Sequence, residues 1–189
     1  MQINIHKLVI SGLLIAIGLI IPIFSPIKII IEPASFTLAS HVAIFIAMFI
    51  SPVVALSVAV GTTMGFFIGG FSIIIVLRAA THIVFAMIGS FYLRRISKDA
   101  LSAINLRIIS FFIAVIHALC ELVVVSVFYF NGNVSPAYFE QGFPMAVLLL
   151  VGLGTVIHSM VDFEIAWLVQ RPLSKLKHIG PQERRETGL

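Results

Sequence analysis

Three pairs of polar residues stand inside apolar stretches of this 189-residue sequence, and the two members of each pair are four positions apart. The pairs are Arg78 with His82, His117 with Glu121, and His158 with Asp162. Residues four apart share one face of an α-helix, so each pair directs both polar groups to the same side. Inside a membrane, groups of this kind bind an anionic ligand, relay protons or pair with one another.

Arg78 is the most informative of these residues, because apolar sequence flanks it on both sides over Ser72–Gly89. A guanidinium at membrane depth costs at least about 2.5–3.5 kcal/mol, so it needs a partner. Its planar fork matches a carboxylate in a bidentate arrangement. Two compatible roles follow: Arg78 anchors the carboxylate of a ligand, or it pairs with Glu121 as an internal staple.

These polar residues predict a substrate-binding site shared by several helices and one loop edge. Its predicted members are Arg78, His82, His41, Glu121, Asn131 and His117. Asp162 and Glu164 lie deeper along their helix and are assigned to structure or partner contact. The basic residues within their expected reach are Arg94, Arg95 and Arg107. No catalytic residue, metal or cofactor is predicted.

The composition indicates an integral membrane protein. Hydrophobic residues make up 60% of the chain and charged residues 11%, whereas soluble domains are nearer 45–50% and about 25%. Mean hydropathy is +1.14. The net charge of +4 could suggest nucleic acid, but the cations gather at the ends of apolar segments, which is typical of topology signals. No nucleic-acid partner is therefore expected.

Enzyme motifs are missing from the sequence. It contains neither the glycine-rich Gly-Lys-Thr/Ser phosphate-binding loop nor a His-Glu-x-x-His zinc motif. The single Cys120 excludes an intramolecular disulfide. We therefore predict a protein that is not an enzyme.

Six apolar segments approach the roughly 20 residues that a membrane span requires. They are Leu8–Phe24, Phe36–Ile50, Val53–Phe71, Ile73–Leu93, Leu106–Phe130 and Met145–Val169. We predict an all-α bundle of six transmembrane helices within residues 1–180, followed by a short polar tail, 181–189. Ser25–Ser35 and Asn131–Pro144 are predicted as long outer loops that could close over a site.

Basic residues set the predicted orientation. With the N-terminus inside, Lys28 alone falls outside, and both termini are cytoplasmic. The basic residues that then fall inside are Lys7, Arg94, Arg95, Lys98, Arg107, Arg171, Lys175, Lys177, Arg184 and Arg185.

Small residues recur at intervals of four on two of the predicted helices. Gly61, Gly65 and Gly69 form such a series on the third, and Gly12 and Ala16 on the first. Faces of this kind allow close helix approach. The third-helix face is expected to pack inside the bundle. The first-helix face either does the same or receives another protein.

The whole chain resembles the substrate-binding (S) components of energy-coupling factor vitamin transporters. The resemblance rests on six spans, a short second helix, long outer loops and two stretches of sequence. These are Pro33-Ala-Ser-Phe-Thr-Leu-Ala-Ser-His41 and Phe45-Ile-Ala-Met-Phe-Ile-Ser-Pro52, which look like the pantothenate or niacin group.

The resemblance implies a bacterial cytoplasmic-membrane protein without its own motor. Such components bind a vitamin on the outer side, associate with a membrane scaffold and two ATPases, and topple to release it inside. Their first helix shows Ala-x-x-x-Ala for scaffold contact, and the matching positions here are Gly12 and Ala16.

A vitamin with a carboxylate fits Arg78, and both pantothenate and nicotinate carry one. The polar residues Asn131, Asn133 and Gln141 favour pantothenate, whereas nicotinate would prefer an aromatic sandwich. Pantothenate is therefore the first prediction and niacin the alternative. Two other hypotheses stay open: a self-sufficient proton-coupled carrier that uses the histidines as a relay, and a structural subunit without a ligand.

Overall fold

Helices dominate the computed structural model, which describes residues 5–31, 34–96 and 102–176. The elements are α1 (Ile5–Phe24), β1 (Lys28–Ile31), β2 (Ala34–Thr37), α2 (Val42–Ile50), α3 (Pro52–Ile68), α4 (Ile73–Arg95), α5 (Ala103–Phe130), α6 (Pro136–Phe143), a π-helical segment (Pro144–Leu153) and α7 (Gly154–Leu176). The predicted tail, 181–189, lies outside the described residues.

Within the described ranges, four segments are long and apolar enough to cross a membrane: α1, α4, α5 and the continuous run Pro136–Pro172. Helix α3 is apolar but has only 17 residues. Helix α2 has nine residues, roughly 14 Å of helix, less than half of a hydrocarbon core of about 30 Å. A helical membrane protein is thus supported, while the count of six spans and the cytoplasmic termini stay predictions.

The prediction of one helix over Phe36–Ile50 is wrong in its first part. Residues 34–37 form strand β2, which pairs with β1 in an antiparallel hairpin, Lys28 opposite Thr37 and Ile29 opposite Phe36. Most of this hairpin lies within the predicted outer loop Ser25–Ser35, which therefore contains paired strands. The isoleucine run that follows Lys28 is β-branched and favours strand.

The second predicted loop is also partly helical. Pro136 occupies the first turn of α6, where proline needs no hydrogen-bond partner. Gly142 then adopts φ of 76°, a left-handed conformation that suits glycine, before the π-helical segment begins at Pro144. Asn131–Pro144 therefore contains a turn, a short helix and a kink at Gly142.

Helix α2 lies inside the bundle, in contact with α1, α3, α4 and α7. Six of its nine residues are buried, and the Phe45 ring packs against Phe85 and Phe163 at centroid distances of 5.5 and 5.3 Å. Ser90 Oγ donates to the Met48 carbonyl at 3.1 Å, which ties α4 to α2. At its end, Ser51 caps α3 by accepting from the Val54 amide, and Pro52 follows the cap in the first turn.

Two glycines of the series on α3, Gly61 and Gly65, pack inside the bundle as expected, whereas Gly69 is exposed. A Cβ atom at Gly61 would clash with Ile15 of α1, and one at Gly65 would lie 2.5 Å from Leu19. By contrast, Gly12 and Ala16 are exposed, and nothing lies within 4 Å of a Cβ built at Gly12. Their partner-contact role stays a prediction.

Candidate functional site

A cavity of about 270 Å³ lies between the hairpin and helices α1–α5 and α7. One part of its wall is polar and consists of Lys28, Ser40, His41, Arg78, His82, Glu121, Thr155 and His158. Another part is aromatic and consists of Phe36, Phe66 and Phe71. Four predicted site residues thus line one cavity: Arg78, His82, His41 and Glu121.

Arg78 and Glu121 form a bidentate ion pair between α4 and α5. Arg78 Nε donates to Glu121 Oε1 at 3.1 Å and Nη2 donates to Oε2 at 2.9 Å. The glutamate side chain is nearly buried, whereas the arginine keeps 23% of its side-chain surface exposed. The internal staple is therefore present, and its guanidinium also faces the cavity.

Glu121 has further polar neighbours. Thr155 Oγ1 donates to Oε2 at 2.7 Å, which links α7 to the pair. His117 Nε2 lies 3.5 Å and His82 Nε2 lies 3.8 Å from Oε1. His117 reaches Glu121 without lining the cavity, so it supports the site from behind.

Asp162, which was assigned to structure or partner contact, is fully buried, and its described partners lie in the turn before α2 and not among the arginines expected within its reach. Its carboxylate accepts from the Ala39 amide at 2.8 Å and from the His41 amide at 2.9 Å. His41 Nδ1 lies 3.2 Å and His158 Nε2 lies 3.3 Å from Oδ2. Asp162 therefore fastens α7 to the turn that precedes α2.

Glu164 behaves as expected. Its Oε1 accepts from Arg107 Nε at 3.1 Å, in a pair whose side chains are 61% exposed at the arginine and 34% exposed at the glutamate.

Four histidines, His41, His82, His117 and His158, form a histidine cluster around His41. The His41 ring centroid lies 4.8 Å from His82, 4.8 Å from His117 and 5.1 Å from His158. Two groups in the region could hold a metal ion, namely His41, His82 and His117, and His41, His158 and Asp162, with ligand atoms within 4.8 Å of one another in each group.

The aromatic wall was not foreseen from the sequence. Phe66 and Phe71 pack together at 4.8 Å, and Phe36 lies 5.5 Å from the His158 ring. A Cβ at Gly154 would clash with the Phe36 ring, so this glycine makes room for the ring at the start of α7. The hairpin thereby delivers an aromatic side chain to the cavity.

Asn131 does not join the other predicted residues. It is exposed at the end of α5, where its side-chain amide donates to the Val127 carbonyl, and it does not line the cavity. Thr155 was missed, although it could have been found, because Thr155, His158 and Asp162 fall on one helix face at spacings of three and four. Lys28 was missed because the hairpin that places it was not predicted.

The sequence matches a curated protein over most of its length. Niacin transporter NiaX of Lactococcus lactis subsp. cremoris (strain MG1363) is 40% identical to this chain over 172 residues, which cover 91% of this chain and 76% of that protein. No protein-family model matches the chain, and no solved structure matches it significantly.

Proposed function

Because this chain belongs to the family of Niacin transporter NiaX, we propose that it is a membrane component that binds nicotinate, the carboxylate form of niacin. This is the alternative that the sequence offered beside pantothenate. The relative's name favours niacin, so pantothenate is no longer the first choice.

The observation that carries the proposal is the wall of the cavity, where cations and aromatic rings stand together. Arg78 and Lys28 supply positive charge, and Phe36, Phe66 and Phe71 supply flat apolar surface. A planar aromatic monocarboxylate needs both kinds of contact. The cavity of about 270 Å³ is below the roughly 300–1,000 Å³ of sites for drug-sized ligands, which suits a small acid.

The ion pair with Glu121 is compatible with ligand binding. A guanidinium has five N–H donors, and Glu121 engages Nε and Nη2. The Nη1 amino group is left for a ligand carboxylate. In this arrangement Glu121 fixes the plane of the fork, and the ligand meets a pre-oriented donor.

The argument for pantothenate loses its structural support. It rested on Asn131, Asn133 and Gln141, which are all exposed and do not line the cavity. The cavity offers aromatic rings instead, which were the expected preference of nicotinate.

Transport is proposed to depend on partners. The chain has no phosphate-binding loop of its own. We assign ATP hydrolysis to two ATPase subunits, coupled through a membrane scaffold that contacts the exposed face around Gly12 and Ala16. The proposed location is the bacterial cytoplasmic membrane.

Calorimetry on the purified protein tests the substrate. Nicotinate is expected to bind at micromolar concentration or below. Nicotinamide, which keeps the ring but lacks the charge, is expected to bind about 10- to 150-fold more weakly, because a hydrogen bond to a charged group contributes about 1.5–3 kcal/mol. Equal affinities for the two would remove Arg78 as the carboxylate anchor, and tighter binding of pantothenate would reverse the choice of vitamin.

A paired variant separates the two roles of Arg78. Arg78→Met alone leaves Glu121 buried without a cation, so the informative variant is Arg78→Met with Glu121→Gln, which removes both charges. We expect it to fold and to lose nicotinate binding. Arg107→Met removes a distant arginine and serves as the control. Wild-type affinity in the paired variant would mean that Arg78 is only a staple.

A further inference from the structure

We propose that His41, His82 and His117 bind a divalent transition-metal ion such as Zn²⁺ or Co²⁺ beside the cavity. The proposal departs from the expectation, drawn from the sequence, that no metal is bound. It stands on the geometry of the histidine cluster and does not depend on the identity of the vitamin.

The three rings already have the spacing of a metal site. Their centroids form a nearly equilateral triangle with sides of 4.8, 4.8 and 4.9 Å. With Zn–N bonds of about 2.1 Å and tetrahedral angles, imidazole centroids come to lie roughly 5 Å apart. One candidate ligand nitrogen from each ring lies within 4.8 Å of the other two.

Two ring nitrogens in the triangle are buried without a hydrogen-bond partner among the described residues. They are Nε2 of His82 and Nε2 of His117, on side chains that are 8% and 0% exposed. Glu121 Oε1 lies 3.8 Å and 3.5 Å from them and already accepts a hydrogen bond from Arg78. A buried polar atom that lacks a partner costs about 1–3 kcal/mol. A metal ion would accept the lone pairs of both nitrogens.

The opposite nitrogens are held by other polar groups, as in most histidine metal sites. His41 Nδ1 lies 3.2 Å from the Asp162 carboxylate, and His117 Nδ1 lies 3.3 Å from Ser159 Oγ. When Nδ1 carries the proton, Nε2 presents its lone pair. Asp162 and Ser159 are therefore positioning residues for two of the three ligands.

The second possible group, His41 with His158 and Asp162, is less suitable. The Asp162 oxygens already accept two backbone hydrogen bonds, and His158 Nε2 lies 3.0 Å from Ser40 Oγ. These atoms have partners, whereas the buried nitrogens of His82 and His117 have none within the described part of the chain.

The two carboxylates near the triangle lower the cost of placing a cation there. The charges of Arg78 and Lys28 balance those of Glu121 and Asp162, so the sum with neutral histidines is zero. A divalent ion would raise the sum to +2, which favours an anionic ligand in the cavity that His41 and His82 line.

Metal titration tests the proposal on the full chain, purified without a histidine tag and treated with a chelator. We expect one Co²⁺ per chain, with the intense visible bands of a tetrahedral nitrogen-rich site, and stoichiometric displacement by Zn²⁺. X-ray absorption on the Zn²⁺-loaded wild type should show three imidazole ligands. Absence of binding at micromolar metal, or a weak octahedral spectrum, would overturn the proposal.

Variants locate the site. His82→Asn and His117→Asn should each weaken Co²⁺ binding by more than about 100-fold, and Asp162→Asn by roughly 10- to 100-fold. His6→Asn, on an exposed histidine of α1, should leave binding unchanged. Unchanged affinity in the first two variants would refute the assignment, and if they fail to fold, the count of imidazoles on the wild type still decides it. Nicotinate plays no part in this titration, so its failure is separate from failure of the niacin proposal.

Discussion

Two buried carboxylates stand at opposite sides of the histidine cluster, and they are neutralised in different ways. Glu121 is 3% exposed and faces the guanidinium of Arg78, a full positive charge, in a bidentate pair. Asp162 is 0% exposed and faces the amides of Ala39 and His41, together with imidazole rings. Within the described residues, one carboxylate has a charged partner and the other has mostly backbone dipoles.

The two carboxylates therefore have different roles: Glu121 affects the charge of the cavity, and Asp162 fixes the position of the backbone. The partner of Glu121 is a side chain that also lines the cavity, so this centre sets the electrostatics that a ligand meets. The partners of Asp162 belong to the turn before α2, where Ala39 adopts φ of 68°, a conformation that costs a non-glycine residue about 1–2 kcal/mol. The Asp162 carboxylate, which projects from α7, lies beside the N-terminus of α2, where the helix dipole favours an anion. This centre therefore sets where His41 stands.

The largest expected effect comes from removing the charged partner. Arg78→Ala leaves Glu121 as a buried carboxylate without a cation, and we expect the free energy of unfolding to fall by about 3–5 kcal/mol. Denaturation in detergent measures this change.

Removing both members of that pair should cost far less. Arg78→Met with Glu121→Gln leaves no uncompensated charge, and paired replacements of this kind are often neutral in stability. If the single and double variants unfold alike, Glu121 is not held as a charged group and the contrast with Asp162 disappears.

A smaller effect is expected at the second carboxylate. Asp162→Asn keeps one acceptor oxygen but loses the charge that strengthens the bonds from Ala39 and His41, and we expect a loss of about 1.5–3 kcal/mol. Thermal denaturation compares it with Arg78→Ala. A larger loss at Asp162 than at Arg78 would show that the turn, rather than the ion pair, dominates the stability of this region.

The smallest effect is expected at the exposed pair. Arg107→Ala breaks the contact with Glu164. Because both side chains of this pair are exposed to solvent, which screens their charges, the free energy of unfolding should change by only about 0–1 kcal/mol. The same denaturation assay provides the reference for the two buried centres. A loss comparable to that of Arg78→Ala would contradict the view that burial makes the difference.

Much of the candidate site could be predicted from the local spacing of residues in the sequence. The intervals of four placed Arg78 with His82 and His117 with Glu121, because helix periodicity is a local property that neighbouring residues determine. The contact of Arg78 with Glu121 followed from the need to compensate a charge in an apolar region. Both inferences depended on residues within one turn or on simple complementarity.

The parts of the site that could not be predicted depend on contacts between residues far apart in the sequence. Asp162 meets His41 across 121 positions, and no local pattern indicates that α7 caps the turn before α2. The hairpin was missed because a short apolar run, here the three isoleucines after Lys28, does not by itself distinguish helix from strand. Lys28 and Phe36 enter the cavity only through that hairpin, whereas Phe66 and Phe71 reach it from the end of α3 and the turn after it.

The π-helical segment Pro144–Leu153 has a consequence for comparing related sequences. A π-helix holds more residues in each turn than an α-helix does, so the number of residues in this stretch sets the rotational phase at which α7 begins. One residue fewer would turn the face that carries Thr155, His158 and Asp162 by about 100°. An insertion or deletion between positions 144 and 153 would therefore mark a relative with a changed site, even where all three of these side chains are retained.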